Sequence, residues 1–318
     1  MTGRRVDSVP ITRRRVLGGL TAAVAVSTAA PAGFAQSPRR SRLRLGGPVF
    51  LKSEDPAELA RAHRALGYNA AYCPPAKVAE TELVQAIERT FAAENVVIAE
   101  VGAWRNMLDA DPGKRRENLD YVTERLALAE AVGARNCVDI AGSFNPKQWD
   151  GPDPRNLSRE FFDATVENCR KVIDAVKPRR TKFTIEMMGW SLPDGADSYL
   201  RLFRAVDRPG FGVHVDVCNI VNSPERFYRN AEIIDEVFRK LGRHVCSCHA
   251  KDLHGKNVHL AETVPGRGGI DYRAYLRNIA ALPFEAPLML EHLTTPEEYE
   301  EGKQHILKVA GELGIGMA

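Results

Sequence analysis

The sequence has few cysteines, and they show no paired spacing of the kind that holds zinc. The 318 residues contain six cysteines, five in apolar runs typical of strands and one, Cys169, in a helical run. A cysteine in such a run packs as a small apolar side chain. We therefore expect no disulfide framework at these positions, which are Cys73, Cys137, Cys169, Cys218, Cys246 and Cys248.

The body of the chain also lacks a large charge of either sign. The formal net charge is +3. Residues 1–35 hold five arginines against Asp7, a net of +4, which leaves the remainder at −1. Nucleic-acid-binding proteins usually carry a basic surface. The composition therefore gives no reason to expect nucleic acid as a partner.

Residues 1–35 have the pattern of a twin-arginine export signal. Arg13-Arg14-Arg15 precede an uncharged run rich in Ala, Gly, Ser and Thr, with Ala30–Ala32 and Gly33–Ala35 as candidate cleavage sites. A weak membrane anchor is the alternative, but Gly18 and Pro31 make a poor spanning helix. We predict export to the periplasm by the twin-arginine machinery, a linker over residues 36–44 and one domain over residues 45–318.

The sequence lacks a glycine-rich dinucleotide turn after its first strand-like run, and strand-like runs never follow one another directly. Instead, eight short apolar runs alternate with helical segments from residue 45 onward. Alternation of this kind predicts a parallel sheet. Eight units over this length favour a single-domain α/β fold, a (β/α)8 TIM barrel, over an open doubly wound sheet.

Four of these runs carry a metal-binding type of residue near their C-terminal end, at Glu186, Asp216, His249 and Glu291. Any one of them alone would indicate only a buried ion pair. In a barrel, however, the strand C-termini meet at one mouth. Three crowded carboxylates would repel each other unless a cation neutralised them. We therefore predict one divalent cation, Mn²⁺ first, with Mg²⁺, Co²⁺ or Zn²⁺ as alternatives.

The sequence around these residues resembles the xylose-isomerase-like TIM-barrel superfamily, which includes sugar-phosphate isomerases and epimerases, ketose 3-epimerases, inosose dehydratase and endonuclease IV. The resemblance extends from about Leu45 to the C-terminus. It rests on Ile185-Glu186, Val215-Asp216, His249-Ala250-Lys251-Asp252, Pro265-Gly266-Arg267-Gly268 with Ile270-Asp271, and Leu290-Glu291-His292.

The resemblance implies roles for these positions. In the ketose epimerases of the group, the positions matching Glu186, Asp216, His249 and Glu291 bind a divalent cation. The two glutamates, Glu186 and Glu291, also exchange the proton at the reacting carbon. The position that matches Arg267 contacts the substrate or supports the metal site.

Further substrate-binding candidates follow from position. Lys251 shares a strand face with His249, and Glu100 and Trp104 lie around the end of the third strand. Trp104 and Trp190 could form an apolar wall for a sugar ring, although core packing is the alternative. We interpret His214 as a hydrogen-bonded core histidine.

Two departures from the ketose 3-epimerases bear on the substrate. Asn219, which we include among the substrate-binding candidates, stands where those enzymes have a histidine, and Leu192 stands where they have a second glutamate. A standard free ketose is therefore disfavoured as the substrate, whereas a modified sugar, keto-glycoside, inositol derivative or keto acid remains open.

The sequence predicts a metal-dependent isomerase or epimerase that forms an enediolate next to a carbonyl of a small carbohydrate, as a possible homo-oligomer. A lyase or dehydratase acting on a keto sugar, keto-glycoside or keto-inositol is the alternative. An endonuclease IV-like nuclease and a non-catalytic sugar-binding barrel are further alternatives.

Overall fold

The computed structural model describes residues 41–257 and 259–318. The predicted leader and most of the predicted linker therefore lie outside the described residues. The strands are β1 (Arg44–Gly46), β2 (Ala70–Tyr72), β3 (Val97–Gly102), β4 (Asn136–Asp139), β5 (Lys182–Ile185), β6 (Val213–Val215), β7 (Val245–Ala250), β8 (Asp252–Lys256), β9 (His259–Thr263) and β10 (Pro287–Leu290).

Within the described residues, ten α-helices connect or follow these strands, and two short 3₁₀ helices lie at Pro154–Leu157 and Gly242–His244. The helices are α1 (Pro56–Ala65), α2 (Thr81–Ala93), α3 (Pro112–Val132), α4 (Arg159–Val176), α5 (Ala196–Val206), α6 (Val217–Ile220), α7 (Pro224–Tyr228), α8 (Asn230–Leu241), α9 (Tyr272–Ala280) and α10 (Pro296–Glu312). Among the described helices, none is long and apolar enough to cross a membrane.

Eight parallel strands form one sheet in the order β5-β4-β3-β2-β1-β10-β7-β6. The two ends of this sheet, β5 and β6, meet through two isolated parallel bridges, Phe183 with Phe211 and Glu186 with His214. The sheet therefore forms a nearly closed barrel with helices around it, which confirms the predicted TIM-barrel class. The described cysteines are free, as expected.

The helix ends follow the local sequence. Ser158 caps α4 by accepting a hydrogen bond from the Phe161 N–H, and Asp271 caps α9 in the same way. Gly133 ends α3 with φ at 72°, a left-handed conformation that glycine adopts without a Cβ clash. The sequence predicts the same three boundaries: helix caps at Ser158 and Asp271 and a helix end at Gly133.

Other predicted boundaries are wrong. The sequence predicts that the runs beginning at Lys182 and Phe211 stay extended for nine residues, but β5 and β6 span four and three residues. The chain leaves the extended conformation soon after each strand, and Asp216 starts α6 by capping it. The helix predicted from Ser223 to Leu241 is broken at Arg229 into α7 and α8.

The segment from Leu253 to Gly269, predicted as a polar loop, contains an antiparallel hairpin of β8 and β9. The hairpin directly follows β7 at the C-terminal mouth of the barrel. Its polar composition and lack of a strong alternation pattern hid the strands from sequence analysis.

Asp139, the last residue of β4, is fully buried and faces the helices. It lies three residues after Asn136, which faces the barrel interior, so the two side chains lie on opposite faces of the strand. Its Oδ1 accepts hydrogen bonds from the Arg105 and Ile140 N–H groups at 3.0 and 2.9 Å, whereas its Oδ2 has no hydrogen-bond partner among the described residues. Burial raises the pKa of Asp139 to about 8.

This environment predicts a pH dependence of stability. A carboxyl whose pKa is raised on folding stabilises the protein fully below its unfolded pKa of about 4, and that contribution is lost as the pH rises towards 8. Asp139→Asn keeps the acceptor oxygen and removes the charge. The variant should therefore unfold with a free energy roughly 1–3 kcal/mol higher than the wild type at pH 8 and equal to it near pH 4, as urea denaturation would measure.

The control is Asp120→Asn, a change at an exposed position of α3. It should leave the difference from the wild type flat across the same pH range. If Asp139→Asn is no more stable than the wild type at pH 8, the pKa of Asp139 is not raised on folding.

Candidate metal centre

The structure brings the four predicted ligands together at the C-terminal mouth of the barrel. Glu186, Asp216 and Glu291 directly follow β5, β6 and β10, and His249 lies near the end of β7. One ligand atom from each lies within 4.8 Å of those of the other three. Three of the residues are buried, and the Glu291 side chain is 11% exposed. The four residues are far apart in the sequence but are neighbours in the fold, because the strand ends meet at one mouth of the barrel.

The imidazole of His249 lies at the centre of the cluster. Its Nδ1 is 3.0 Å from Glu186 Oε1, 2.9 Å from Glu291 Oε2 and 3.7 Å from Asp216 Oδ2. Its Nε2 lies on the other side of the ring, 3.1 Å from Glu100 Oε2. One ring nitrogen thus faces three carboxylates while the other faces a fourth.

Asp216 offers an oxygen that the protein leaves without a hydrogen bond. Its Oδ1 accepts from the Cys218 and Asn219 N–H groups at 2.9 and 3.2 Å, which fixes the side chain at the start of α6. Its Oδ2 is buried and has no hydrogen bond among the described residues. Lys251 Nζ lies 2.7 Å from that oxygen, so the oxygen is held in an ion pair.

Lys251 is fully buried beside the cluster. Besides Asp216, its ammonium contacts Glu291 Oε1 and lies 3.5 Å from Glu262 Oε1. Burial alone would lower the pKa of Lys251, but the charges of Asp216 and Glu291 outweigh it and hold the pKa well above the ordinary value. The lysine is therefore a permanent cation that offsets part of the carboxylate charge.

The carboxylates respond differently to the same surroundings. Burial raises the pKa of Glu186. Burial would also raise the pKa of Glu291, but His249 and Lys251 outweigh it and lower that pKa below its ordinary value.

The donor set fits a divalent cation. Three carboxylates and one imidazole supply hard oxygen ligands with one nitrogen, which suits Mn²⁺, Mg²⁺, Co²⁺ or Zn²⁺. Asp216 Oδ2 is consistent with this, since it is a fully buried oxygen whose close contact is the Lys251 ammonium, and that one lysine is shared with Glu291. Lys251 supplies one positive charge, and a cation would supply the rest.

Asn219 and Glu100, both predicted to bind substrate, contact Glu186 and His249, and their substrate contacts stay predictions. The Asn219 side-chain amide donates to Glu186 Oε1 at 3.3 Å and to the Met187 carbonyl at 3.0 Å. Glu100 is buried inside the barrel and accepts from His214 and His249. His214 is thus a hydrogen-bonded core histidine, as interpreted from the sequence.

The remaining substrate-binding candidates lie outside the cluster. Arg267 is half-exposed and pairs with Glu301 and Glu298 of α10, so its guanidinium is directed to a helix. Trp104 packs against Gly102 at the end of β3. Trp190 is 65% exposed in the loop after β5, which leaves its ring accessible from solvent.

Sequence analysis missed Glu262 of the hairpin strand β9. Its Oε2 lies 3.0 Å from His292 Nδ1, and its Oε1 approaches Lys251. His292 directly follows Glu291 and has a φ of 57°, unusual for a residue other than glycine. No spacing rule connects these positions, because the contact depends on how the hairpin folds back over the mouth.

The fold and this cluster define the class of protein: a TIM barrel with a buried, metal-binding type of centre at the strand C-termini. A sequence profile described as xylose isomerase-like TIM barrel matches residues 57–309. The chain belongs to that family. No curated protein sequence matches it.

Solved structures of several activities share the fold. Endonuclease IV from Thermus thermophilus is 17% identical, covers 86% of this chain and 100% of its own, and has a TM-score of 0.64. The 3-keto-D-glucoside 4-epimerase YcjR from E. coli is 12% identical, covers 85% and 100%, and has a TM-score of 0.61. The probable 3-DHS dehydratase AsbF from Bacillus anthracis is 12% identical, covers 84% and 98%, and has a TM-score of 0.61. At these identities the likeness shows the fold alone.

The first prediction from this geometry concerns Asp216. Asp216→Asn retains the oxygen that caps α6 but replaces Oδ2, the oxygen that faces the cluster, with an uncharged amide nitrogen. Residues that only orient a metal ligand typically cost about 10–100-fold in affinity, so a lost ligand should weaken Mn²⁺ binding by at least ~100-fold. Isothermal titration calorimetry of the purified protein would measure the change.

Asp197→Asn, which removes a carboxylate that pairs with Lys240 on the outer surface, is the control and should bind Mn²⁺ like the wild type. Equal affinity in Asp216→Asn and the wild type would remove Asp216 from the ligand set.

The second prediction concerns Lys251. Its ammonium competes with a cation for Asp216 and Glu291 oxygens, and like charges repel. Lys251→Met should therefore bind Mn²⁺ more tightly, by about tenfold or ~1.4 kcal/mol. The same variant should melt at a lower temperature in excess chelator, because it leaves buried carboxylates without a counter-charge.

Lys240→Met provides a matched control, since Lys240 also pairs with two carboxylates but lies on the outer helix surface. Weaker Mn²⁺ binding in Lys251→Met would mean that the lysine organises the ligands rather than competing with the cation.

Proposed function

We infer that the protein is a divalent-metal-dependent isomerase or epimerase of a keto sugar that works through an enediolate formed next to the carbonyl. One observation carries this inference. Two glutamates at the ends of β5 and β10 converge on one histidine nitrogen, with an oxygen of Asp216 3.7 Å from the same nitrogen. Such a set can hold a cation and still offer carboxylates to move a proton.

Each residue has a distinct task in this reaction. A bound cation would supply Lewis-acid stabilisation of negative charge on the substrate oxygens. Asp216 and His249 would mainly hold that cation. Glu186 and Glu291 approach His249 Nδ1 from different strands, so they can reach a carbon from two sides as base and acid. Lys251 can hold a substrate oxygen by its ammonium group.

A lyase or dehydratase that uses the same enolising step is the second candidate. The buried ammonium of Lys251 beside Glu291 favours it, because a fixed positive charge can stabilise the negative charge on a departing hydroxyl or alkoxide oxygen. The dehydratase among the structures of this fold is consistent with the same reaction class. The two functions differ only in whether a leaving group stands beta to the carbanion.

The setting of the reaction is also a proposal. The twin-arginine pattern around Arg13 and Arg14 supports export of the folded protein to the periplasm. Export after folding would let Mn²⁺ be acquired in the cytoplasm, where metal availability differs. Trp190 supports a carbohydrate as the ligand, since an exposed indole can stack on a sugar ring.

Glu186→Gln tests the proposed function. The amide keeps the size of the side chain but cannot accept a proton from carbon. Exchange of substrate hydrogen for deuterium in D₂O should fall by about 10²–10⁴-fold relative to the wild type, measured by NMR across a panel of keto sugars and keto-glycosides with Mn²⁺ bound.

Glu167→Gln, which changes an exposed carboxylate of α4 that pairs with Lys171, is the control and should exchange at the wild-type rate. Deuterium at carbon without loss of a group supports the epimerase, and loss of water or an alcohol supports the lyase. Nicking of abasic DNA by the loaded protein, or sugar binding without exchange in the wild type, would overturn the proposal.

A further inference from the structure

We propose that Glu100 is a positioning residue of the metal centre. Its carboxylate, one layer below the cluster, holds the Nε2–H of His249 and so presents Nδ1 to the cation. His214 contacts the other oxygen of Glu100 and so helps to hold that carboxylate in place. The proposal rests on the proposed cation site but not on the reaction that the site performs.

The geometry of Glu100 uses both carboxylate oxygens. Oε2 accepts from His249 Nε2 at 3.1 Å, while Oε1 accepts from His214 Nε2 at 3.1 Å and from Ser247 Oγ at 2.8 Å. Each of these residues is at most 1% exposed. Without water to substitute for it, the carboxylate sets which nitrogen of His249 carries the proton.

Two irregularities in the sheet put these groups on the inner face. Between β2 and β3, Ala71 pairs with Ile98 but Tyr72 pairs with Glu100, so β3 has one extra residue. Between β6 and β7, Val213 pairs with Val245 but His214 pairs with Ser247. A bulge of one residue reverses the side-chain alternation beyond it, and bulges often lie beside active sites.

His214 restrains Glu100 from the opposite side. Its ring packs edge-on against the ring of His249, with centroids 4.2 Å apart. Since His214 Nε2 donates to Glu100 Oε1, the carboxylate cannot rotate away from His249 without losing a bond. His214 Nδ1 has no hydrogen-bond partner among the described residues, so Nε2 is the ring nitrogen that holds Glu100.

Glu100, His214 and His249 suggest a second metal site as an alternative, because their ligand atoms also lie within 4.8 Å of one another. Hydrogen bonds explain the arrangement better. The Nε2 atoms of His214 and His249 contact different oxygens of the Glu100 carboxylate at normal donor–acceptor distances. Ser247 also donates to Oε1, the oxygen that His214 contacts. The charge of Glu100 is satisfied by donors without an ion.

Glu100→Gln tests the proposal because an amide has one acceptor oxygen where the carboxylate has two. Because the two histidines contact different oxygens of Glu100, the single amide oxygen can accept from only one of them. His249 therefore loses the carboxylate that fixes its orientation. We expect Mn²⁺ affinity to fall by about 10–100-fold, measured by calorimetry. In the Co²⁺-loaded protein, the paramagnetically shifted N–H proton of His249 should exchange with solvent faster than in the wild type.

Glu262→Gln is the matched control, since Glu262 lies near Lys251 but does not contact His249; the His249 N–H signal should remain as in the wild type. Wild-type Mn²⁺ affinity and slow N–H exchange in Glu100→Gln would overturn the proposal. So would two cations per wild-type chain, with one lost in the variant, because Glu100 would then be a ligand.

A measurement on the wild type needs no variant to fold. Histidine nitrogen NMR of the Zn²⁺-loaded protein should show His249 protonated on Nε2 and not on Nδ1, and the opposite pattern would refute the proposal. If the wild type binds a cation and places the proton as expected but exchanges no substrate hydrogen, only the proposed function fails.

Discussion

Crowded negative charge is the constraint on which the upper half of this barrel depends. Glu186, Asp216 and Glu291 meet at the mouth, and Glu100 lies just below them in the interior. Burying a carboxylate is costly unless charge or hydrogen bonds compensate it. The protein compensates Glu100 with histidine and serine donors and the upper three in part with Lys251. The remaining deficit is what makes the centre suited to a doubly charged ion.

The sequence was sufficient to predict the barrel and the four residues that converge in it. Alternating apolar runs and helices specify strand order, and the strand ends of a barrel share one mouth, so Glu186 and Glu291 had to approach each other although 105 positions separate them in the chain. The helix caps at Ser158 and Asp271 were equally readable, because capping depends on residues three positions apart.

The positions of Glu100 below the cluster and of Glu262 above it could not be predicted from the sequence, and the reason is physical. Glu100 faces inward because of a bulge, and a bulge depends on how two strands pair rather than on the composition of either. Glu262 reaches Lys251 because a hairpin folds back, and its strands lack a clear alternation. Arg267, expected at the substrate, pairs with Glu301 and Glu298 of α10, and its contact with a substrate stays a prediction.

The sparse pairing between β5 and β6 has a consequence for the whole molecule. That junction has only two isolated bridges among the described residues, and one of them joins Glu186 to His214. Glu186 and Asp216 leave the barrel on opposite sides of the gap. An ion held by both residues would join the two edges of the sheet at this sparsely paired junction, so that closure of the barrel and occupancy of its centre would depend on each other.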